Sequence, residues 1–211
     1  MSVRQLRLSL ALCALCVMSA PSSPAAVSLG ASAGDVRQAR RDAELMKQKV
    51  AAINQFAERP GKQPRRTVVT ESEVNAYLTY EAREQLPVGV VDPAVTILGT
   101  GRLSGRATVD LDAVRTQRKA TGLLDPMTYL TGRLPIAASG VLTTQDGVGR
   151  FELESAELSG VPIPKMLLQE ILSYYSRTPE KPGGIALDDP FALPARIREI
   201  HVQRGQAVVV Q

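Results

Sequence analysis

From Val36 onward, apolar residues recur at spacings of three and four: Val36, Ala39, Ala43, Met46, Val50, Ile53 and Ala57. This spacing predicts a helix over 35–57 with one apolar stripe. The stripe is narrow and contains three Ala, so it suits packing onto a surface rather than holding a core. Arg59-Pro60-Gly61-Lys62 ends it, and the basic stretch to Arg66 reads as a linker. Val68-Val69 is a short strand. Thr70 and Glu73 then fit a capping box, in which each side chain satisfies the other residue's free backbone donor. A helix is expected over 71–83 with Val74, Tyr77 and Leu78 facing inward, stopped by Pro87.

The period then changes to two. Val95 and Ile97 alternate, Gly99-Thr100-Gly101 turns, and Leu103, Gly105, Ala107, Val109 and Leu111 alternate with polar neighbours. Such alternation marks a strand with one buried and one wet face. A short helix over 112–119 and a helical turn opened by Asp125-Pro126 follow. Strands are expected over 134–144 and 148–158, joined through Gln145-Asp146-Gly147. In the second, Phe151 and Leu153 fall on odd positions but Ala156 and Leu158 on even ones, which predicts a bulge near Ser155. The helix expected over 165–176 is apolar around well over half of its circumference, so it should be largely enclosed or border a greasy cavity. Loop over 178–190 and a hairpin of 196–202 with 206–210 complete the chain. The fold class is α+β: a strongly twisted antiparallel sheet wrapped around an apolar helix, with an additional N-terminal amphipathic helix.

Ahead of these elements, Arg4 and Arg7 precede an apolar run from Leu8 to Met18, and small residues follow. This is the pattern of a secretory signal peptide, and the run is too short to span a bilayer core of about 30 Å. Cleavage after Ala25 or Ala26 fits, and Ala31-Ser32-Ala33 is a second small-x-small site. The chain thus divides into a signal peptide (1–26), a basic helix and linker (27–66) and a main α+β body (67–211). Cys13 and Cys16 both lie in the signal, so the mature chain has no disulfide and is stabilised by its core alone. The expected location is the periplasm or cell envelope.

Charge is segregated. Residues 35–66 carry a net +5 and residues 67–211 a net −3. A nucleic-acid-binding domain would concentrate Lys and Arg on its body, which this chain does not do. The basic helix, through Arg37, Arg40 and Arg41, is instead suited to peripheral contact with an anionic membrane.

Chemistry is sparse. One His and the two signal Cys leave no ligand set for zinc or iron–sulfur centres, and no cofactor is expected. Gly99-x-Gly101-x-x-x-Gly105 lacks the Lys-Ser/Thr of a phosphate loop and precedes a strand. His201 has no nucleophile elbow beside it. Glu152 with Glu154, and Asp110 with Asp112, are i, i+2 neighbours on wet strand faces, where carboxylates are solubilising more often than catalytic. Asp188-Asp189 lacks the regular oxygen spacing of a calcium loop. What remains is apolar: Met127, Tyr129 and Leu130, and on the second apolar helix Leu167, Leu168, Ile171, Leu172 and Tyr175. These eight are the candidate lipid-binding residues, because an apolar ligand needs few polar groups.

The order of motifs carries a resemblance. Thr70-x-x-Glu73 with Val74-Asn75-Ala76-Tyr77-Leu78 precedes alternating strands. Ser159-Gly160-Val161-Pro162-Ile163-Pro164 then leads into an apolar helix, and Leu193-Pro194-Ala195-Arg196-Ile197 into the last hairpin. From 67 to 211 this resembles the bacterial LmeA-like phospholipid-binding family. The resemblance implies a tubular lipid-binding (TULIP-like) module, in which a bent sheet wraps a helix and acyl chains lie between them. It implies no catalytic residue. By position it places Leu167, Leu168, Ile171, Leu172 and Tyr175 on the wrapped helix. The expected function is non-catalytic: binding or shuttling a lipid or other amphiphile in the cell envelope. The alternatives are a ligand-free structural or interaction domain of the envelope, and a hydrolase using Ser or carboxylates.

Overall fold

Alternating segments of the chain form sheet, and segments of period three to four form helix. The computed structural model describes residues 33–59, 61, 63–117, 131–175, 177 and 181–211. The expected signal peptide with Cys13 and Cys16, and the turn carrying Met127, Tyr129 and Leu130, lie outside the described residues. In chain order the elements are α1 (Ala33–Glu58), β1 (Arg66–Thr70), α2 (Glu71–Tyr80), a 3-10 turn (Arg83–Gln85), β2 (Val90–Gly99) and β3 (Arg102–Asp110). They continue as α3 (Leu111–Gln117), β4 (Arg133–Gln145), β5 (Val148–Leu158), β6 (Val161–Pro162), α4 (Lys165–Tyr175), β7 (Phe191–Ala192), β8 (Glu199–Gln203) and β9 (Gln206–Val210).

The fold is α+β, with two sheets. The larger runs β2-β3-β4-β5-β6, with β7 also on β5; the smaller runs β1-β9-β8. Every pairing is antiparallel. Asp146 and Gly147 turn the β4–β5 hairpin with φ of 50° and 83°, the left-handed pair that a two-residue hairpin favours. The expected bulge is present: Ser139 faces Ser155 but Gly140 faces Leu153, which leaves Glu154 as the extra residue. It bends β5 and turns its apolar set from odd to even positions.

The sheets are joined at their ends. The Gly205 N–H donates to the Ile97 carbonyl at 2.8 Å, and the Gly147 N–H to that of Arg198 at 2.9 Å. The Thr144 hydroxyl accepts from the Ile200 N–H at 2.8 Å and donates to its carbonyl at 3.2 Å. Two apolar clusters fill the space behind these links. Ile53, Leu193, Ile197 and Val209 form one; Ile97, Leu142 and Val202 form the other. Phe191 and Ile200 pack against both.

Some boundaries differ from the sequence pattern. Helix α2 stops at Tyr80 because the Glu81 and Ala82 N–H groups both donate to the Tyr77 carbonyl. Strand β8 starts only at Glu199: Ala195 and Arg196 adopt left-handed φ of 52° and 55°, outside the extended region of a regular strand. The larger difference concerns α4. Met166 is 79% exposed and Leu167 49%, so this face of the helix is not enclosed by sheet. Its partner on the other side is the following loop: Gln169 bonds the Ile185 carbonyl and the Leu187 N–H.

Gly140 is fixed by close packing. A methyl group there would meet the Glu152 carbonyl oxygen and the Phe151 ring. Gly140→Ala is expected to destabilise the protein by about 1–3 kcal/mol, the range for overpacking a filled site. Urea unfolding followed by circular dichroism measures this, and an unchanged midpoint would contradict it.

Candidate functional site

The site is built from the start of α2. The Thr70 hydroxyl accepts the Glu73 N–H at 3.3 Å, and the Glu73 carboxylate accepts the Thr70 N–H at 2.8 Å, which completes the capping box. The same carboxylate receives the Lys49 ammonium of α1 at 2.6 and 2.7 Å. Glu73 is only 7% exposed. Burial pushes its carboxyl up, but Lys49 and the Thr70 N–H outweigh this and hold it below the ordinary carboxylate value.

Helix α2 is also fastened to the larger sheet. Asn75 grips Val95 on β2, donating to its carbonyl at 2.7 Å and accepting its N–H at 2.6 Å. Glu71 accepts the Ile97 N–H at 2.7 Å. These side chains occupy the positions an adjoining strand would fill, so the edge of β2 is covered. Helix α1 lies along α2. Lys47 bridges Glu81 at 2.8 Å, Arg40 stacks over Tyr80 at 5.3 Å, and Arg65 donates to the Ala52 carbonyl at 3.2 Å.

The two helices roof the apolar faces of the sheets without filling the space beneath. A cavity of about 740 Å³ remains, within the roughly 300–1,000 Å³ of small-molecule sites. Its roof is Met46, Val50 and Ile53 of α1 with Val74, Tyr77 and Leu78 of α2. Its floor is Val95, Ile97, Leu103 and Leu142 of the larger sheet with Val202, Ala207 and Val209 of the smaller. Leu193, Pro194, Ala195 and Ile197 close one side. Polar groups are few. Asn54 lies on α1, while Lys47, Glu81, Glu84 and Gln85 gather where α2 ends. Such a chamber can desolvate an aliphatic chain. Among the described residues that line it, no nucleophile is paired with a base.

Three of the eight candidate residues from sequence can be placed, and they fall elsewhere. Leu167 is exposed, Leu168 and Leu172 are half-buried, and none of the three lines the cavity. Ile171 and Tyr175 belong to α4, but their side chains are outside the described set, as are Met127, Tyr129 and Leu130 entirely. The motif segments fare differently. Val74, Tyr77 and Leu78 from the first, and Leu193, Pro194, Ala195 and Ile197 from the last, supply cavity wall. Sequence reading missed the contribution of α1, whose stripe residues Met46, Val50 and Ile53 carry the signal but have no marked partner.

Five of the six carboxylates weighed as chemical groups are engaged in local hydrogen bonds or ion pairs. Asp110 accepts the Ala113 N–H at 3.0 Å and pairs with Arg133 at 3.2 Å, and Asp112 accepts the Gly132 N–H at 3.1 Å. Glu154 pairs with Arg102, Asp188 with Lys165, and Asp189 with Lys181. His201 lies exposed on β8, 3.0 Å from Glu199. Among the described residues, no helix is long and apolar enough to cross a membrane. Comparison with known proteins returns no matching family model, curated protein or solved structure.

Lys49→Met is expected to cost about 1–3 kcal/mol, because it leaves the buried Glu73 carboxylate without its cation. Urea unfolding measures the loss, and faster proteolysis between α1 and β1 reports release of the roof. The pH dependence has a definite sign. A carboxyl held below its ordinary value stabilises the fold above that value, and the contribution vanishes as pH falls through the folded one. Wild type should therefore lose stability as pH drops from about 5, and Glu73→Gln should show a shallower decline.

Proposed function

We propose that this is an exported, non-catalytic protein of the cell envelope that binds or shuttles a lipid or other amphiphile. The cavity of about 740 Å³ between the two helices and the two sheets carries the reading. Its walls are overwhelmingly aliphatic, and each methylene they take from water contributes roughly 0.8 kcal/mol. One acyl chain thus supplies useful affinity without polar contacts. The LmeA-like resemblance supports the same reading, since two of its three motif segments, around Val74 and Leu193, build cavity wall. The signal-like N-terminus supports export. On this reading the N-terminal half of α1 meets anionic headgroups through its three arginines. Arg37, Arg40 and Arg41 are all exposed there, on the helix that forms half of the roof.

The test is native mass spectrometry of protein purified from envelope extract without detergent, followed by organic extraction. A co-purifying lipid at one per chain is expected in wild type. Val74→Trp, which fills the cavity from a half-buried helix position, should reduce lipid occupancy roughly tenfold with the circular dichroism spectrum unchanged. Wild type that neither carries nor takes up lipid would favour a ligand-free interaction domain.

Charge reversal at Arg37, Arg40 and Arg41 should weaken binding to phosphatidylglycerol vesicles by roughly tenfold or more, since each basic residue near an anionic surface contributes about 1 kcal/mol. Co-sedimentation checks this, and unchanged binding would remove the membrane role of α1.

A further inference from the structure

The polar groups of the cavity are unevenly placed, and their charges are unevenly spent. Lys47, Glu81, Glu84 and Gln85 gather at the end of α2. Opposite them the wall is aliphatic, from Ile53 to Ile197 and Val209. A ligand with one polar end therefore has one favourable orientation. Its head stays at the rim formed by Glu81 to Gln85, and its tail runs beneath the helices toward the smaller sheet. The reverse would bury a polar head against a largely aliphatic wall, where Asn54 is the one amide or charged side chain among the described lining residues away from that rim.

The charge of that rim restricts the head. Lys47 is the one cationic side chain among the described residues that line the cavity, and it is already engaged. Its ammonium lies 2.8 Å from Glu81 and 3.7 Å from Glu44. Lys49, nearby on α1, is held by both oxygens of Glu73. Arg83 does not line the cavity and turns its guanidinium back to the Thr79 carbonyl at 2.7 Å. Glu84, in contrast, is exposed at the rim with no ion-pair partner among the described residues. Among the described lining residues, an anionic headgroup would find no cation without a carboxylate partner and would meet the carboxylate of Glu84. A headgroup carrying an ammonium would meet Glu84.

We propose that the cavity takes a single-headed amphiphile whose head is neutral or bears a cationic group, bound head-outward at the Glu81–Gln85 rim. This rests on the lipid-binding reading and adds the class of ligand to it. It also separates two surfaces of the protein. The arginines of α1 are suited to anionic membrane, whereas the cavity selects against anionic ligand. A donor bilayer could thus hold the protein without its anionic lipids competing for the site.

The test compares two lysolipids with the same palmitoyl tail, one with a phosphocholine head and one with a phosphoglycerol head. Binding to the full mature protein is measured by isothermal titration below their micellar concentrations. The choline lipid is expected to bind about threefold to fivefold tighter, the scale of a partly exposed charge contact. Glu84→Gln, a surface change, should reduce that ratio toward one while leaving the phosphoglycerol lipid bound as well or better. A photoreactive group at the tail terminus should cross-link to β8, β9 or residues 193–197, and not to residues 81–85. Equal affinities, or preference for the phosphoglycerol head, would overturn the headgroup selection while leaving lipid binding intact. Cross-linking of the tail to residues 81–85 would overturn the orientation. Binding of neither lipid would overturn the lipid-binding reading and this inference with it.

Discussion

The carboxylate of Glu73 is the point on which the arrangement turns. It closes the capping box that starts α2, accepting the Thr70 N–H. It also holds α1 through both contacts with Lys49. A carboxylate 7% exposed is costly to leave unpaired, so the two roles reinforce each other. The helix start fixes where the charge sits, and the buried charge fixes where the second helix must lie. Exposed ion pairs elsewhere, such as Lys165 with Asp188, carry no comparable constraint, because water screens them and their side chains lose freedom in pairing.

The cavity follows from how the roof is suspended. Polar fasteners at the ends and edge of α2 set its height above the sheets: Asn75 on Val95, Glu71 on Ile97, Glu73 on Lys49. Apolar side chains then meet across the gap only where they are long enough. Ile53 reaches Leu193, Ile197 and Val209. Small residues such as Ala51 and Ala207 leave room. A roof held by hydrogen bonds and ion pairs does not need a filled interior beneath it. That distinguishes this arrangement from an ordinary core, where packing itself supplies the cohesion.

Local structure was legible in the sequence to an unusual depth. The capping box at Thr70 and Glu73, the hairpin at Asp146-Gly147 and the bulge beside Ser155 all depend on contacts within a few residues or on strict alternation, so residue types alone reveal them. The candidate site was legible only in part. The apolar stripe of α1 and the inward positions Val74, Tyr77 and Leu78 were visible, but nothing in either segment names the other as its neighbour. The opposite limit appears at α4. Its composition suggested enclosure, yet Met166 and Leu167 stand in solvent. Apolar composition reports what burial would gain, not whether a partner surface is in reach.

By itself, then, the sequence determined the elements, the alternating faces, the segregation of basic charge into the arm of first helix and linker, and the scarcity of catalytic groups. These are local or additive properties, written in spacing and residue type. Only the tertiary structure decided that Lys49 meets Glu73, that Asn75 grips β2, and that the space between α1, α2 and two sheets stays open. Those outcomes depend on pairings between residues twenty or more positions apart. Register and hydrogen-bond geometry select them, and a periodic pattern alone carries no record of which faces meet.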